Sequence, residues 1–527
     1  MVKTVKKPPP MINKIYSSTT NPGLFAKKTQ TLKPLFNYAD DEPLATRSSA
    51  ALQNTNKINS NEVDQAIKLT LRLKKKTIQS SSFSSQTFPM LASLLVDELA
   101  TTNKAPLDLV CVIDHSGSMS GEKIELVKES FKSLLRFLGD SDRLSIVIFD
   151  NNASRLVPLV RTTEKNKKLI LSQLKNVQGD GYTDINLGMT HAFEILKQRR
   201  YKNPVTSIFL LSDGLDTLGD GAQNRVKSTL SRYNIPDDVT INTFGFGNDH
   251  DPQMMNDIAD LRDGNFYFVE QLDTVDEAFV DCLGGLLSSI GQNVTITIFP
   301  EQSNVLRGVE IVKAYGEASM WAKDGNIYIT KMSHVISGRQ KDFVLELNIP
   351  RNTKELQDHE KLIKVASAEA HFTAIDGKPI TKRAELFITL LNESEEAQEE
   401  EDDREVMKNF YRVKGASVFS QARKLADIRI YDEAKKLLQN FKEELKGCFL
   451  KTEEFIKNLI KDIEKAEEDV DPKIYELSGK HNMMESVRAT MSQKPNFKSA
   501  NFNLYQNSVQ MSMVREVQSM KLRTKAT

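Results

Sequence analysis

Asp114, Ser116 and Ser118 place a carboxylate and two hydroxyls at alternate positions of Asp114-His115-Ser116-Gly117-Ser118. Oxygen donors in that pattern suit Mg2+, Mn2+ or Ca2+ rather than zinc or copper, which favour nitrogen and sulfur. Any one of these residues alone reads as a cap of a helix or turn, a routine use of Asp and Ser. The same run also has the composition of a Ser-His-Asp relay, but neighbours on one turn cannot adopt relay geometry. G-x-S-x-G, H-E-x-x-H and Walker A patterns are absent from the chain. The seven histidines are scattered, and His115 reads as solvent-facing or as a neighbour of the donors. The chain therefore reads as a non-enzyme, with metal-dependent hydrolysis as the remaining catalytic alternative.

The elements around the donors say where they sit. Residues 107–113 form a nearly unbroken apolar run, the pattern of a buried parallel strand. Behind the donors Ile124, Val127, Phe131, Leu134 and Leu138 recur at helical spacing. The donors thus occupy the turn at the carboxyl end of a central strand, where open α/β sheets hold their ligands. Strands near 107–113, 144–149, 206–211, 239–245 and 265–269 alternate with helices near 121–138, 186–200, 252–262 and 273–289. Such alternation predicts an α/β fold with a doubly wound, mostly parallel sheet. Gly117, Gly181 and Gly214 fit turns that need a permissive backbone or close approach to a ligand.

The pentapeptide resembles the metal-ion-dependent adhesion site (MIDAS) of von Willebrand factor A (VWA) domains. In that family Asp-x-Ser-x-Ser is completed by a threonine from a second loop and an aspartate from a third. The resemblance implies Thr183, within Gly181-Tyr182-Thr183-Asp184-Ile185, and Asp213, at the end of the apolar run 208–212. Residues 142–149 resemble the family's second strand, and 244–251 its fifth strand and following loop. The implied ligand set is Asp114, Ser116, Ser118, Thr183 and Asp213 around Mg2+, with Mn2+ or Ca2+ as alternatives. Two carboxylates leave a divalent ion electrophilic, so its open position would take an acidic group from a protein partner. The resemblance spans residues 104–290.

Composition bounds the whole molecule. A chain of 527 residues holds two or three domains. Its 71 basic and 71 acidic residues balance, so no overall field favours nucleic acid or a membrane surface. Cys111, Cys282 and Cys448 lie too far apart for a disulfide framework or a zinc finger, which suggests a reducing compartment. The first residues lack the apolar core of a signal peptide. No stretch of about 18 apolar residues predicts a membrane span. A cytoplasmic protein is the expectation.

Outside the A domain, residues 1–60 read as a disordered arm rich in Lys, Pro, Ser, Thr and Asn. Residues 61–103 read as strands that pack with a β-sandwich over 291–392, leaving the A domain inserted in, or followed by, that sandwich. Residues 393–403 read as an acidic, solvated linker and 404–492 as an α-helical region. Residues 493–527 read as a flexible tail, in which 509–522 has a weaker amphipathic helical pattern. This order resembles intracellular plant and protist proteins that place a VWA domain before a sandwich and a helical Vwaint region, whose opening helices 412–438 resemble. Plant members often carry a RING finger and act as ubiquitin ligases. With no cysteine before Cys111, a ligase role is not carried over. The reading reached is a metal-dependent protein-interaction module on a cytosolic scaffold; the alternative is a structural adaptor with a vestigial metal site.

Overall fold

In a computed structural model of the chain, the apolar run before the donors is a strand buried along its whole length, Leu107–Asp114. The structure describes residues 42–44, 59–81, 84–99, 104–213, 216–219, 221–247, 251–269, 274–316, 320–352, 354–395, 400–493 and 499–526. Strands β1 (Ile67–Leu73), β2 (Thr77–Gln79) and β3 (Gln86–Val96) come first. The buried run is β4, followed by β5 (Arg143–Phe149), β6 (Ala153–Arg161), β7 (Val205–Ser212), β8 (Val239–Phe246) and β9 (Phe266–Val269). They form one sheet in the order β6-β5-β4-β7-β8-β9, parallel except at the β5–β6 edge.

Helices cover both faces of this sheet, which is why β4, β7 and β8 bury every residue. On one face Phe131, Phe209, Phe244 and Phe279 pack together. On the other Val112, Phe149, Phe193 and Ile208 do so. The doubly wound sheet matches the sequence expectation, while β6 and the helices Glu164–Leu174 and Ala222–Tyr233 had no counterpart in it. Strand β6 contains Pro158, which cannot donate to a ladder and is tolerated at this sheet edge, beside a register irregularity around Ile146. The helix Ala222–Tyr233 buries only Ala222, Val226, Thr229 and Leu230, too thin a stripe to stand out.

The chain re-enters a second layer system through the helix Val275–Leu287, which runs with one intervening residue into β10 (Ser289–Pro300). There follow β11 (Glu310–Ala314), β12 (Ala322–Asp324), β13 (Ile327–Ile336), β14 (Gln340–Ile349), β15 (Leu362–Ala374) and β16 (Pro379–Leu391). One sheet has the order β1-β3-β14-β11 and the other β12-β13-β10-β15-β16-β2. Strand β3, which precedes the α/β domain, pairs antiparallel with β14, which follows it, from Gln86↔Ile349 to Leu95↔Gln340. The α/β domain is therefore an insertion in a sandwich built from both flanks. Alternate burial along β1 turns Ile67, Leu69, Leu71 and Leu73 into the sandwich core.

Helices Arg404–Asp427, Tyr431–Gly447, Glu454–Asp469 and Lys480–Ser492 make the helical region. The wholly buried Arg412 ties it to the sandwich, donating to the carbonyls of Thr490 (2.8 Å), Met491 (2.9 Å) and Asp342 of β14 (3.0 Å).

Two expectations outside the sheet need correction. The described end of the acidic segment, 400–403, is fastened rather than free: Glu400 accepts from the Thr77 N–H at 2.9 Å, and the Asp403 N–H donates to the Lys74 carbonyl at 2.8 Å. The Asp403 carboxylate also caps the next helix through the N–H groups of Glu405 and Val406. The tail expected to be flexible contains the helix Ser508–Ala526, whose Met513, Val514 and Val517 enter the core beside Phe279 and Leu283. Its apolar stripe is short and finds its partner only in three dimensions. The disordered arm lies outside the described residues apart from 42–44 and 59–60. Within it Glu42 is buried, its carbonyl accepting from Arg143 at 2.8 Å and its carboxylate from the Arg161 N–H at 2.7 Å. Among the described residues no helix is long and apolar enough to cross a membrane.

Candidate metal centre

Strand β4 delivers Asp114 to its carboxyl end and buries it completely. Its Oδ1 accepts from the Ser116 N–H at 2.9 Å, and its Oδ2 from the Ser212 hydroxyl at 2.5 Å. Burial pushes the Asp114 carboxyl up to about 6, against the hydrogen bonds from Ser212 and Ser116 and reinforced by the nearby charge of Asp213. The chain then turns through a short 3-10 segment, Gly117–Met119, anchored by the buried Met119. This turn brings the Ser116 and Ser118 hydroxyls within 3.1 Å of each other.

Asp213 comes from the loop after β7, and its side chain is 2% exposed. Its Oδ1 accepts from the Ser118 hydroxyl at 2.9 Å and its Oδ2 from the Lys123 ammonium at 2.6 Å. Asp114, Ser116, Ser118 and Asp213 are thus joined in one run of contacts across two loops. Ser212 and Lys123 escaped the sequence reading. Ser212 adjoins Asp213, and Lys123 lies in the first turn of the helix Glu122–Phe137; neither position by itself reveals a partner about ninety residues away in the chain.

Thr183, from the loop before the helix Ile185–Gln198, is buried, and its backbone is held by Thr217 of the loop that carries Asp213. Its N–H donates to Thr217 Oγ1 at 3.0 Å, and its carbonyl accepts from the Thr217 hydroxyl at 2.6 Å and N–H at 3.0 Å. The Thr183 hydroxyl takes no part in these bonds. Its loop is stitched to the first by Gly117 N–H to Gly181 O at 3.0 Å and Asp180 N–H to His115 O at 2.7 Å.

Two glycines make the stitching possible. Gly181 has φ +83°, as its type suggested, and a Cβ there would lie 2.5 Å from Asn151 Oδ1. Gly179, unremarked in the sequence, is tighter: a Cβ would come within 2.4 Å of Ser120 Oγ and 2.8 Å of the Ser116 carbonyl oxygen. Gly117, expected to need special freedom, does not: its φ is not positive, and a Cβ would meet nothing nearer than 3.5 Å. Gly214 lies outside the described residues. His115 is half-buried with Nε2 3.9 Å from Asp150 Oδ2, beside the end of β5.

The donor set is suited to a hard divalent ion: two carboxylates and two hydroxyls, all oxygen, at the junction of three loops. The Lys123 ammonium already engages one oxygen of Asp213.

Comparison with known proteins agrees with the fold. Residues 108–280 match the family model described as the von Willebrand factor type A domain. The chain is 28% identical over 260 residues to the E3 ubiquitin-protein ligase WAV3 of Arabidopsis thaliana, covering 48% of this chain and 32% of that protein. It is 33% identical over 141 residues to the human inter-alpha-trypsin inhibitor heavy chain H4, covering 25% of this chain and 15% of that one. The chain thus spans about a third or less of the length of these two relatives. Among solved structures, a von Willebrand factor type A protein from Catenulispora acidiphila has a TM-score of 0.58 at 14% identity, covering 83% of this chain and 99% of that one. The ArnB paralog VWA2 from Sulfolobus acidocaldarius has 0.52 at 18% identity, covering 81% and 98%. These two share the fold well beyond the VWA domain.

Proposed function

We propose that this VWA-domain protein is a non-enzymatic, metal-dependent interaction module that takes an acidic side chain of a protein partner. The observation that carries the reading is the Ser118–Asp213 hydrogen bond, which closes two loops of oxygen donors over the end of β4. Asp114, Ser116, Ser118, Thr183 and Asp213 would hold Mg2+ or Mn2+, with Ca2+ a third choice. Bound there, the ion would supply an electrophilic open position to a carboxylate. The chain's own residues orient the donors: Ser212 and the Ser116 N–H hold Asp114, and Thr217 holds the Thr183 loop. Among the described residues the mouth shows no relay of nucleophile and base, and the ligase activity in the name of WAV3 is not extended to this chain. A cytoplasmic placement accompanies the reading, since Cys111, Cys282 and Cys448 are buried free thiols.

A second reading, a structural adaptor with a vestigial metal site, draws on the Lys123–Asp213 ion pair, which already neutralises one proposed ligand. Calorimetric titration with Mg2+ and Mn2+ separates the two. Binding by the wild type that is lost in Asp114→Ala, together with Mg2+-dependent binding of a glutamate-bearing peptide but not its glutamine counterpart, supports the interaction module. Equal heats from wild type and Asp114→Ala would leave the adaptor.

A further inference from the structure

Lys123 stands in the first turn of the helix Glu122–Phe137, directly behind the donor loop. Its ammonium lies 2.6 Å from Asp213 Oδ2 while Ser118 holds Oδ1, so both oxygens of this carboxylate are engaged. Gly247 also lies close to the lysine's end: a Cβ built there would be 3.6 Å from its Cε and 3.7 Å from its Nζ. Its side chain is 22% exposed and that of Asp213 is 2% exposed, so the pair is shielded from solvent far more than a surface salt bridge.

Charge counting gives this pair a consequence. Asp114 and Asp213 alone would just balance a divalent ion, whereas with Lys123 alongside the loaded site carries a net charge of +1. We propose that Lys123 is a built-in counter-ion that weakens the hold of the site on a divalent cation and keeps the loaded site net positive, so that an acidic ligand completes it. The inference rests on the metal reading above. Lys123 repels the incoming cation through its charge and competes with it for Asp213 Oδ2. A third negative charge, from a partner's carboxylate, relieves that repulsion. Metal and acidic ligand would then bind together more tightly than either does alone, and the cation would leave readily when the ligand does.

The test is Mn2+ binding, measured by electron paramagnetic resonance on the full chain, with and without N-acetylglutamate as the carboxylate probe. Lys123→Met keeps the length of the stem and removes the charge; Lys123→Gln is a second neutral variant, and Lys123→Arg retains the charge. Both neutral variants are expected to bind Mn2+ alone about tenfold more tightly than the wild type, equivalent to about 1.4 kcal/mol. Lys123→Arg should stay close to the wild type. The probe should tighten Mn2+ in the wild type and have little effect in the neutral variants. Mn2+ binding by Lys123→Met when the wild type binds none would also support the counter-ion. Neutral variants that are folded, as judged by circular dichroism, and bind Mn2+ no more tightly than a wild type that does bind it overturn the proposal and leave the metal reading standing. An absence of binding in all four proteins overturns both.

Discussion

Gln510 donates its side-chain amide to Asp281 twice, at 3.0 Å to the backbone carbonyl and 3.1 Å to the carboxylate, across 229 residues of chain. The approach is close because residues 284 and 285 are glycines; a Cβ at Gly284 would lie 3.0 Å from the Gln510 Cα. The C-terminal helix is thereby clasped to the helix Val275–Leu287, with Lys521 paired to Asp276 at 2.6 Å and to Glu277 at 3.1 Å. Met513 and Val517 are buried in this seam. Met513→Ala should cost about 2 kcal/mol or more of stability, the lower end for a large-to-small core change. Thermal unfolding of wild type and variant checks it; a loss no larger than that of an exposed control such as Ser519→Ala would show that the tail is not docked.

Buried charge supplies the second prediction. Arg143 donates to Asp108 Oδ1 at 2.7 Å and Oδ2 at 2.6 Å, and Arg199 donates to the same Oδ2 at 2.6 Å, with no side chain of the three more than 4% exposed. Burial draws the Arg199 guanidinium below its ordinary value, and Asp108 opposes that. Asp108→Ala removes the carboxylate shared by two buried guanidinium groups, and removing one partner of a buried pair costs about 3–5 kcal/mol. Urea unfolding should show at least that loss. A change below about 1 kcal/mol, the range of an exposed ion pair, would mean the network is solvated in solution.

The third prediction is a pH dependence. His334 of β13 is half-buried with its Nε2 shut off from solvent, and this burial pulls its imidazole down to about 4, opposed by the charges of Asp263 and Asp238. The folded chain therefore holds it neutral, whereas in the unfolded chain it takes a proton near pH 6.5. The unfolded state binds more protons between those values, so stability present above pH 6.5 is lost as pH falls towards 4 and changes little further below it. The loss from this one group is about 3 kcal/mol over that window. His334→Phe should flatten the stability profile between pH 6.5 and 4, measured by denaturant unfolding at each pH. A profile parallel to the wild type would assign the acid sensitivity to other groups.

How much of this was legible in the chain depended on the range of the interaction. Strand β4 and the helix behind it were plain because burial on both faces writes a continuous apolar run, and the helix writes its period. Asp114, Ser116 and Ser118 were readable from their own spacing. Thr183 and Asp213 were not; they came from the family resemblance, because nothing local says that three loops meet. Lys123, Ser212, Thr217 and Gly179 act across loops, and their residue types are ordinary for helix surface, strand end and turn. The docking of the C-terminal helix was hidden for a related reason. Its stripe is three residues wide, and the glycines that receive it lie more than two hundred residues earlier.

Gly179 gives the sharpest contrast between fold and site. A methyl group there would lie 2.4 Å from Ser120 Oγ and 2.8 Å from both the Ser116 carbonyl oxygen and the Ser120 N, and the last two are backbone atoms that cannot rotate aside. Gly179→Ala must therefore push the second loop off the first. The Gly117 N–H to Gly181 O bond and the Asp180 N–H to His115 O bond span that gap, and both would lengthen. Thr183 would move with its loop, away from Ser116 and Ser118. The sheet beneath is untouched, so the stability loss should stay within about 1–3 kcal/mol, typical of single substitutions. Mg2+-dependent stabilisation should fall much further: binding at a hundred times the dissociation constant adds about 2.7 kcal/mol, and that increment should vanish. Gly117→Ala is the counterpart, since its φ is not positive and its nearest neighbour would be 3.5 Å away, so it should keep both stability and the Mg2+ response. Thermal unfolding of the three proteins with Mg2+ and with EDTA decides it. If Gly179→Ala retained the full Mg2+ increment, loop spacing would not govern the metal centre.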